Sequence, residues 1–241
     1  MAEEQFEPIR DLHSFVADVG ETEGIRLYRV DLRRDLASVP RDALSADEWQ
    51  RNARFVFEAD RRRHAVAHLA LRWLLAPVLR SQPAALRFAL GRHDKPHVDS
   101  DRDVVFNLSH SCDVALVGIA TGPEIGVDIE ILRPLEQRED LARRHYTAGE
   151  RREIDDAREE HRTEAFLRCW TRKEACIKAV GSGLSVEPAS FEAGIRGRRD
   201  VRLQYEGSEY DTAVDSIDVG ADCVAAVARM TGDPRPALVR G

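Results

Sequence analysis

Gly126-Val127-Asp128-Ile129-Glu130 is the stretch on which the reading of the chain turns. It lies inside a predicted strand from Ile125 to Ile131. Alternate strand residues share a face, so Val127 and Ile129 point one way and Asp128 and Glu130 the other. With a rise of ~3.3 Å per residue the two carboxylates stand ~6–7 Å apart at the backbone. Their oxygens can converge on one hard cation such as Mg²⁺. The same spacing also fits a half-exposed strand whose outer face is simply acidic.

Working outward toward the C-terminus, Thr163 to Val180 is the strongest helix in the chain. Thr163 can cap it, and Gly181 and Gly183 end it. Phe166, Trp170, Glu174 and Lys178 sit four apart and form one ridge. A carboxylate and an ammonium thus follow directly on an apolar stripe, although an i,i+4 Glu–Lys pair on a solvated face reads the same way. Short strands are expected at about 201–205, 210–217 and 222–229.

Toward the N-terminus, Val104 to Leu108 and Val114 to Ala120 read as a hairpin joined by a Ser-His-Ser-Cys-Asp connection. In Phe106-Asn107-Leu108-Ser109-His110-Ser111, hydroxyls and an imidazole collect at a strand end. That grouping suits a phosphate, or a turn that satisfies its own backbone. A strand is expected from Ile25 to Leu32. A helix opens at Ser45, and another runs from Asp60 to about Leu75 with Pro77 beyond it. The run Arg61-Arg62-Arg63, preceded by Arg51 and Arg54, reads mostly as a solvated helix face. His93 to Pro96 is a turn.

Both halves run strand, helices, then several strands, which implies an α+β fold of two similar lobes. The halves divide near Thr121-Gly122-Pro123, giving an N-terminal lobe over 1–122 and a C-terminal lobe over 123–241. A cleft between such lobes is a common ligand site.

Composition narrows the function. Of 241 residues 43% are hydrophobic and 33% charged, and the net charge is -7, so a soluble cytoplasmic protein is expected, with no membrane span and no general affinity for nucleic acid. The N-terminus is acidic and unlike a signal peptide. The four cysteines show no zinc or disulfide spacing. Only Lys95, Lys173 and Lys178 are lysines; the other 33 of the 36 basic residues are arginines. A retained lysine then marks a place where a compact ammonium is wanted.

The ordered set Phe-Asn-Leu-Ser-His-Ser (106–111), Gly-Val-Asp-Ile-Glu (126–130) and Trp-Thr-Arg-Lys-Glu-Ala-Cys-Ile-Lys-Ala-Val-Gly-Ser-Gly-Leu (170–184) closely resembles the Sfp-type 4′-phosphopantetheinyl transferases. The last two motifs are specific as a pair, about 44 residues apart as in the family. Asp94-Lys95-Pro96 resembles the family's Gly-Lys-Pro turn, with Asp in place of Gly. The segment Phe55 to Leu75 resembles the first-lobe helix, with Arg63 at the phosphate-binding arginine. The similarity covers roughly 45–230.

The resemblance implies a pseudodimer of two α/β lobes with the active site in the cleft between them. It implies Mg²⁺-dependent transfer of the 4′-phosphopantetheine arm of coenzyme A to a serine of an apo acyl or peptidyl carrier protein, releasing 3′,5′-ADP. A non-catalytic coenzyme A- or carrier-binding relative is the alternative. By resemblance Asp128, Glu130 and Glu174 hold the metal. Glu174 is the base, with Lys178 on the pyrophosphate. Arg63 and His110, with Arg51, meet the 3′-phosphate, while Lys95 and Pro96 flank the adenine and Ser109 completes the coenzyme A contacts. The family also implies a monomer serving secondary metabolite biosynthesis. Arg143, Arg144, Arg151 and Arg152 are candidates for steering an acidic carrier.

Overall fold

Two antiparallel sheets stack face to face, and one long helix covers the outer face of each. The computed structural model describes residues 12–91 and 95–236. The first lobe opens with β1 (Val16–Thr22) and β2 (Ile25–Asp31), followed by α1 (Ala46–Ala53) and the long α2 (Glu58–Leu79). A short ribbon of β3 (Phe88–Leu90) and β4 (Pro96–Val98) leads to the hairpin β5 (Val104–Ser111) and β6 (Val114–Thr121). The second lobe starts with β7 (Ile125–Ile131). It continues through α3 (Arg138–His145), α4 (Ala148–Asp155) and α5 (Arg162–Val180). It then forms β8 (Arg199–Tyr205), β9 (Ser208–Ile217), β10 (Cys223–Met230) and the two-residue β11 (Arg235–Pro236).

The first sheet runs β1-β2-β6-β5 and the second β11-β9-β10-β7, with β8 also on β9. The predicted likeness of the halves is therefore visible in the sheets: β2-β6-β5 corresponds to β7-β10-β9 in chain order and adjacency. Strand β6 is buried on both faces. Ala115, Val117 and Ile119 pack with Ala65, Leu69 and other residues of α2. Val114, Leu116 and Ala120 pack with Ile125, Val127 and Ile129 of β7 and with β10. Alternation is lost because a strand between two layers needs apolar residues at every position. Gly118 lies on the inter-sheet face, where a Cβ would come within 2.8 Å of Val127 Cγ1.

Several expectations need correction. The β5–β6 connection is only Cys112-Asp113; Ser109, His110 and Ser111 belong to the strand, and Cys112 takes the left-handed conformation at φ 49°. Pro77 is inside α2, not beyond it. It sits in the last turn, where it deprives Trp73 O of its N–H donor, and the helix closes three residues later at Arg80 with φ 51°. Thr163 does not cap α5; the N-cap position is His161, with no side-chain cap. Gly181 does end α5, in the left-handed conformation. Strand β1 had no counterpart in the sequence reading. The turn at His93-Asp94 lies outside the described residues. Among the described residues no helix is long and apolar enough to cross a membrane.

Candidate active site

The acidic face of β7 is not solvated. Gly126, Asp128 and Glu130 share that face, and α5 lies across it. A Cβ on Gly126 would fall 2.1 Å from Ala175 O and 2.5 Å from Ala179 N, so the glycine sets how closely the helix approaches the strand. Asp128 is 5% exposed as a result.

Strand β5 meets the free edge of β7 with side chains instead of a backbone ladder. Residues 107, 109 and 111 alternate onto one face and engage β7 in register. Val127 N donates to Asn107 Oδ1 at 2.8 Å, Ser109 Oγ donates to Asp128 Oδ1 at 2.7 Å, and Ser111 Oγ donates to Glu130 Oε2 at 2.6 Å. The motif Asn-x-Ser-x-Ser is thus the seam between the lobes. Lys178 reaches the seam from α5, donating to Asp128 Oδ1 at 2.6 Å, Ser109 Oγ at 2.9 Å and Val127 O at 3.4 Å.

A cavity of about 610 Å³ opens between the lobes here. Lys95, Pro96, Ser109, His110, Asp128, Glu130, Glu174 and Lys178 line it, so eight of the ten expected site residues share one wall system. Arg51 and Arg63 do not line it. Arg63 donates to Asp113 Oδ1 and Asp60 Oδ1, both at 2.9 Å, and its field reaches His110. Arg51 stands in the last turn of α1. The sequence missed the more apolar end of the cavity, made by Trp170, Ile177, Val186 and Pro188 with His145 and Glu187. His145 packs edge-on against Trp170, with ring centroids 5.7 Å apart. Trp170 precedes Glu174 by one turn, a signal in the sequence; His145 had none.

Electrostatics follow from burial. Desolvation raises the pKa of Glu174, and the charges of Asp128 and Glu130 push it the same way. Desolvation also raises Glu130, with Asp128 adding to the effect and the Ser111 hydrogen bond opposing it. His110 is lowered by desolvation and by the cations Lys178 and Arg63. Three carboxylates facing one ammonium leave an excess of negative charge in a partly dry site. Asp128 Oδ2 is buried with no hydrogen-bond partner. Among the described residues no three acidic, imidazole or thiol groups are drawn into a ready-made cage for an ion. The donor chemistry nonetheless fits Mg²⁺: hard carboxylate oxygens, one of them buried and unsatisfied, on two elements packed together.

Comparison with known proteins identifies the family. The family described as the 4′-phosphopantetheinyl transferase superfamily matches residues 124–228, and the 4′-phosphopantetheinyl transferase N-terminal family matches 32–123. The 4′-phosphopantetheinyl transferase HetI of Nostoc sp. is 34% identical over 170 residues, covering 67% of this chain and 70% of that protein. A 4′-phosphopantetheinyl transferase of Bacillus subtilis is 26% identical over 207 residues, covering 84% of this chain and 91% of its own. A relative in Synechocystis sp. is 39% identical over 144 residues, a match spanning 59% of this chain and 58% of that protein. The two families meet at 123–124, just ahead of the strand that carries the acids, and together they cover residues 32–228. The chain belongs to the 4′-phosphopantetheinyl transferase superfamily and is, with it, a transferase.

Proposed function

We propose that the chain moves the 4′-phosphopantetheine arm of coenzyme A onto a serine of an apo acyl or peptidyl carrier protein, releasing 3′,5′-ADP, as a cytoplasmic monomer. One observation carries this reading: Lys178 and Asp128 meet at the seam while Asp128 Oδ2 stays buried and unpartnered, beside Glu174. A polyanion with its cation fits a site built in this way, and a neutral substrate does not.

Asp128, Glu130 and Glu174 would hold Mg²⁺, whose chemistry here is neutralisation of the pyrophosphate oxygens. The remaining steps belong to the chain's own groups. The carrier serine hydroxyl attacks the phosphorus bearing the pantetheine arm, and its proton passes to the carboxylate of Glu174 in the cavity wall. The bond from that phosphorus to the oxygen bridging the two phosphates breaks. Lys178 faces the phosphate of the departing 3′,5′-ADP and offsets the charge growing on it. His110 presents a ring N–H to the donor's phosphates, and Ser109, whose hydroxyl hydrogen goes to Asp128, holds Lys178 beside them. Arg63 and Arg51 lend positive potential beyond His110, and Pro96 stands at the nucleotide end. Arg143, Arg151 and Arg152 line a groove between α3 and α4, a face suited to an acidic carrier.

The test is intact-mass analysis of a panel of apo carriers mixed with the chain, coenzyme A and Mg²⁺. The expected result is a gain of one phosphopantetheine group, abolished by chelator and restored by Mg²⁺. An unchanged mass across acyl and peptidyl carriers, with the protein folded, overturns the reading.

A further inference from the structure

Lys95 precedes β4 in the first lobe, yet every partner of its ammonium lies in the second. Nζ donates to Glu124 Oε2 at 2.6 Å, Ile125 O at 3.0 Å and Ala179 O at 3.4 Å. An ammonium has three hydrogens, and all three are taken. Ile125 opens β7, the strand of Asp128 and Glu130. Ala179 lies in the last turn of α5, one residue past Lys178, where the negative end of the helix dipole favours a cation. The stem is held as well: a Cβ on Gly181 would lie 3.4 Å from Lys95 Cδ, and the side chain is 14% exposed. Burial lowers the pKa of Lys95, against the pull of Glu124.

We propose that Lys95 is a positioning residue whose ammonium pins the start of β7 and the end of α5 to the first lobe, and so fixes Asp128 and Glu130 of the strand against Glu174 and Lys178 of the helix, without that ammonium contacting the coenzyme A donor. Reaching a donor phosphate would strip two main-chain carbonyls at the lobe boundary as well as Glu124. Lys178, about twice as exposed, has instead two side-chain acceptors in the cavity wall and one carbonyl at 3.4 Å, and can turn to a phosphate from there. Lys178 joins the same two elements at Asp128, so the two lysines act as paired fasteners along one strand–helix contact. The proposal rests on the transferase reading above.

The test separates positioning from binding. Lys95→Met keeps the stem and removes the ammonium. Small misplacements of reacting groups cost as much as ~100-fold, so the expected result is a kcat for carrier modification ~10–100-fold lower, with KM for coenzyme A and Kd for 3′,5′-ADP within about twofold of wild type. Glu124→Gln, at a half-exposed position, weakens one of the three contacts and is expected to lower kcat about threefold with the same unchanged Kd; it decides the question if Lys95→Met fails to fold. A tenfold rise in KM or Kd at unaltered kcat makes Lys95 a donor contact and overturns the proposal. A loss of melting temperature with kcat intact in the folded variant, or a Glu124→Gln enzyme equal to wild type in kcat, also overturns it. Wild-type protein that binds 3′,5′-ADP but modifies no carrier sinks the transferase reading instead, and this proposal with it.

Discussion

The two lobes hold their long helices in place with the same device, and only one lobe follows it with a carboxylate and an ammonium. In the first, Ser45 and Glu48 form a capping box at the start of α1, and Glu48 turns inward to Arg72 of α2, with Nη2–Oε2 at 2.7 Å. Arg72 also donates to Pro83 O and Leu86 O and lies over the ring of Phe88. In the second, Thr147 and Glu150 form a capping box at the start of α4, and Glu150 turns inward to Lys173 of α5 at 2.8 Å. Lys173 donates to Pro188 O and Phe191 O and lies over the ring of Phe191. The acid precedes the base by 24 residues in one lobe (72 − 48) and 23 in the other (173 − 150). One and five residues beyond Lys173 come Glu174 and Lys178. The same offsets from Arg72 reach Trp73 and Pro77. The lock is architecture common to both halves; the proposed catalytic pair is an elaboration of one copy.

The largest effect is expected where the copies differ. Glu174→Gln should slow carrier modification ~10³-fold while the melting temperature holds, because a buried charge is removed. Trp73→Ala, at the matching offset, should leave the rate of the folded protein within a few-fold. A Trp73 variant as inactive as the Glu174 variant breaks the asymmetry. The locks come next. Lys173→Met leaves Glu150 buried and uncompensated, since both side chains are 0% exposed, and should cost about 3–5 kcal/mol in urea unfolding. Adding Glu150→Gln should recover part of that loss, because the amide removes the charge but can accept from only one of the two sides that now donate to Glu150.

Glu48→Gln probes the first lobe with a pH signature. Burial pushes Glu48 upward, but hydrogen bonds from His68 and Arg72 outweigh it and hold the carboxyl at about 2 against an ordinary 4.5. The folded state therefore binds this proton less readily than the unfolded one. Its stabilisation, on the order of 3 kcal/mol, is present above pH ~4.5 and is lost as pH falls toward 2. His64 acts in the same direction over a higher window: burial and the charge of His68 lower it from 6.5 to about 3. Urea midpoints measured from pH 7 down to 3 should fall steadily in wild type, and the gap to Glu48→Gln should narrow below pH 4.5. A gap that stays constant breaks the assignment. Smallest and most alike should be the caps: Ser45→Ala and Thr147→Ala should each cost about 1 kcal/mol in urea unfolding.

Periodicity made much of this legible. The strand from Ile125 to Ile131 and the helix closed by Gly181 fall where alternation and the four-residue ridge put them. The lysine count was also informative. Each of the three ammoniums meets three partners at least partly out of water: Lys95 at the lobe boundary, Lys173 in the core, Lys178 at the seam. A tetrahedral donor suits three converging acceptors better than a planar guanidinium does. What could not be read was tertiary. Nothing local marks Cys112 for a left-handed turn, so Ser109 to Ser111 looked like a loop. Nor could the segment around Asp128 show that a helix would lie across it, although Gly126 on the same face was a clue. Nothing local marks Arg72 for the interior either; a partner 24 residues upstream draws it inside.

The side-chain seam has a consequence for solubility. Strand β5 ends one sheet and β7 ends the other. Each has a row of amides and carbonyls that could template pairing with a neighbouring molecule. Asn107 and Ser111 turn those rims toward each other and cap the β7 amides without knitting a continuous nine-strand ribbon. A half expressed by itself would leave its rim bare and invite aggregation, so joining both halves in one polypeptide protects the chain as well as completing its cleft.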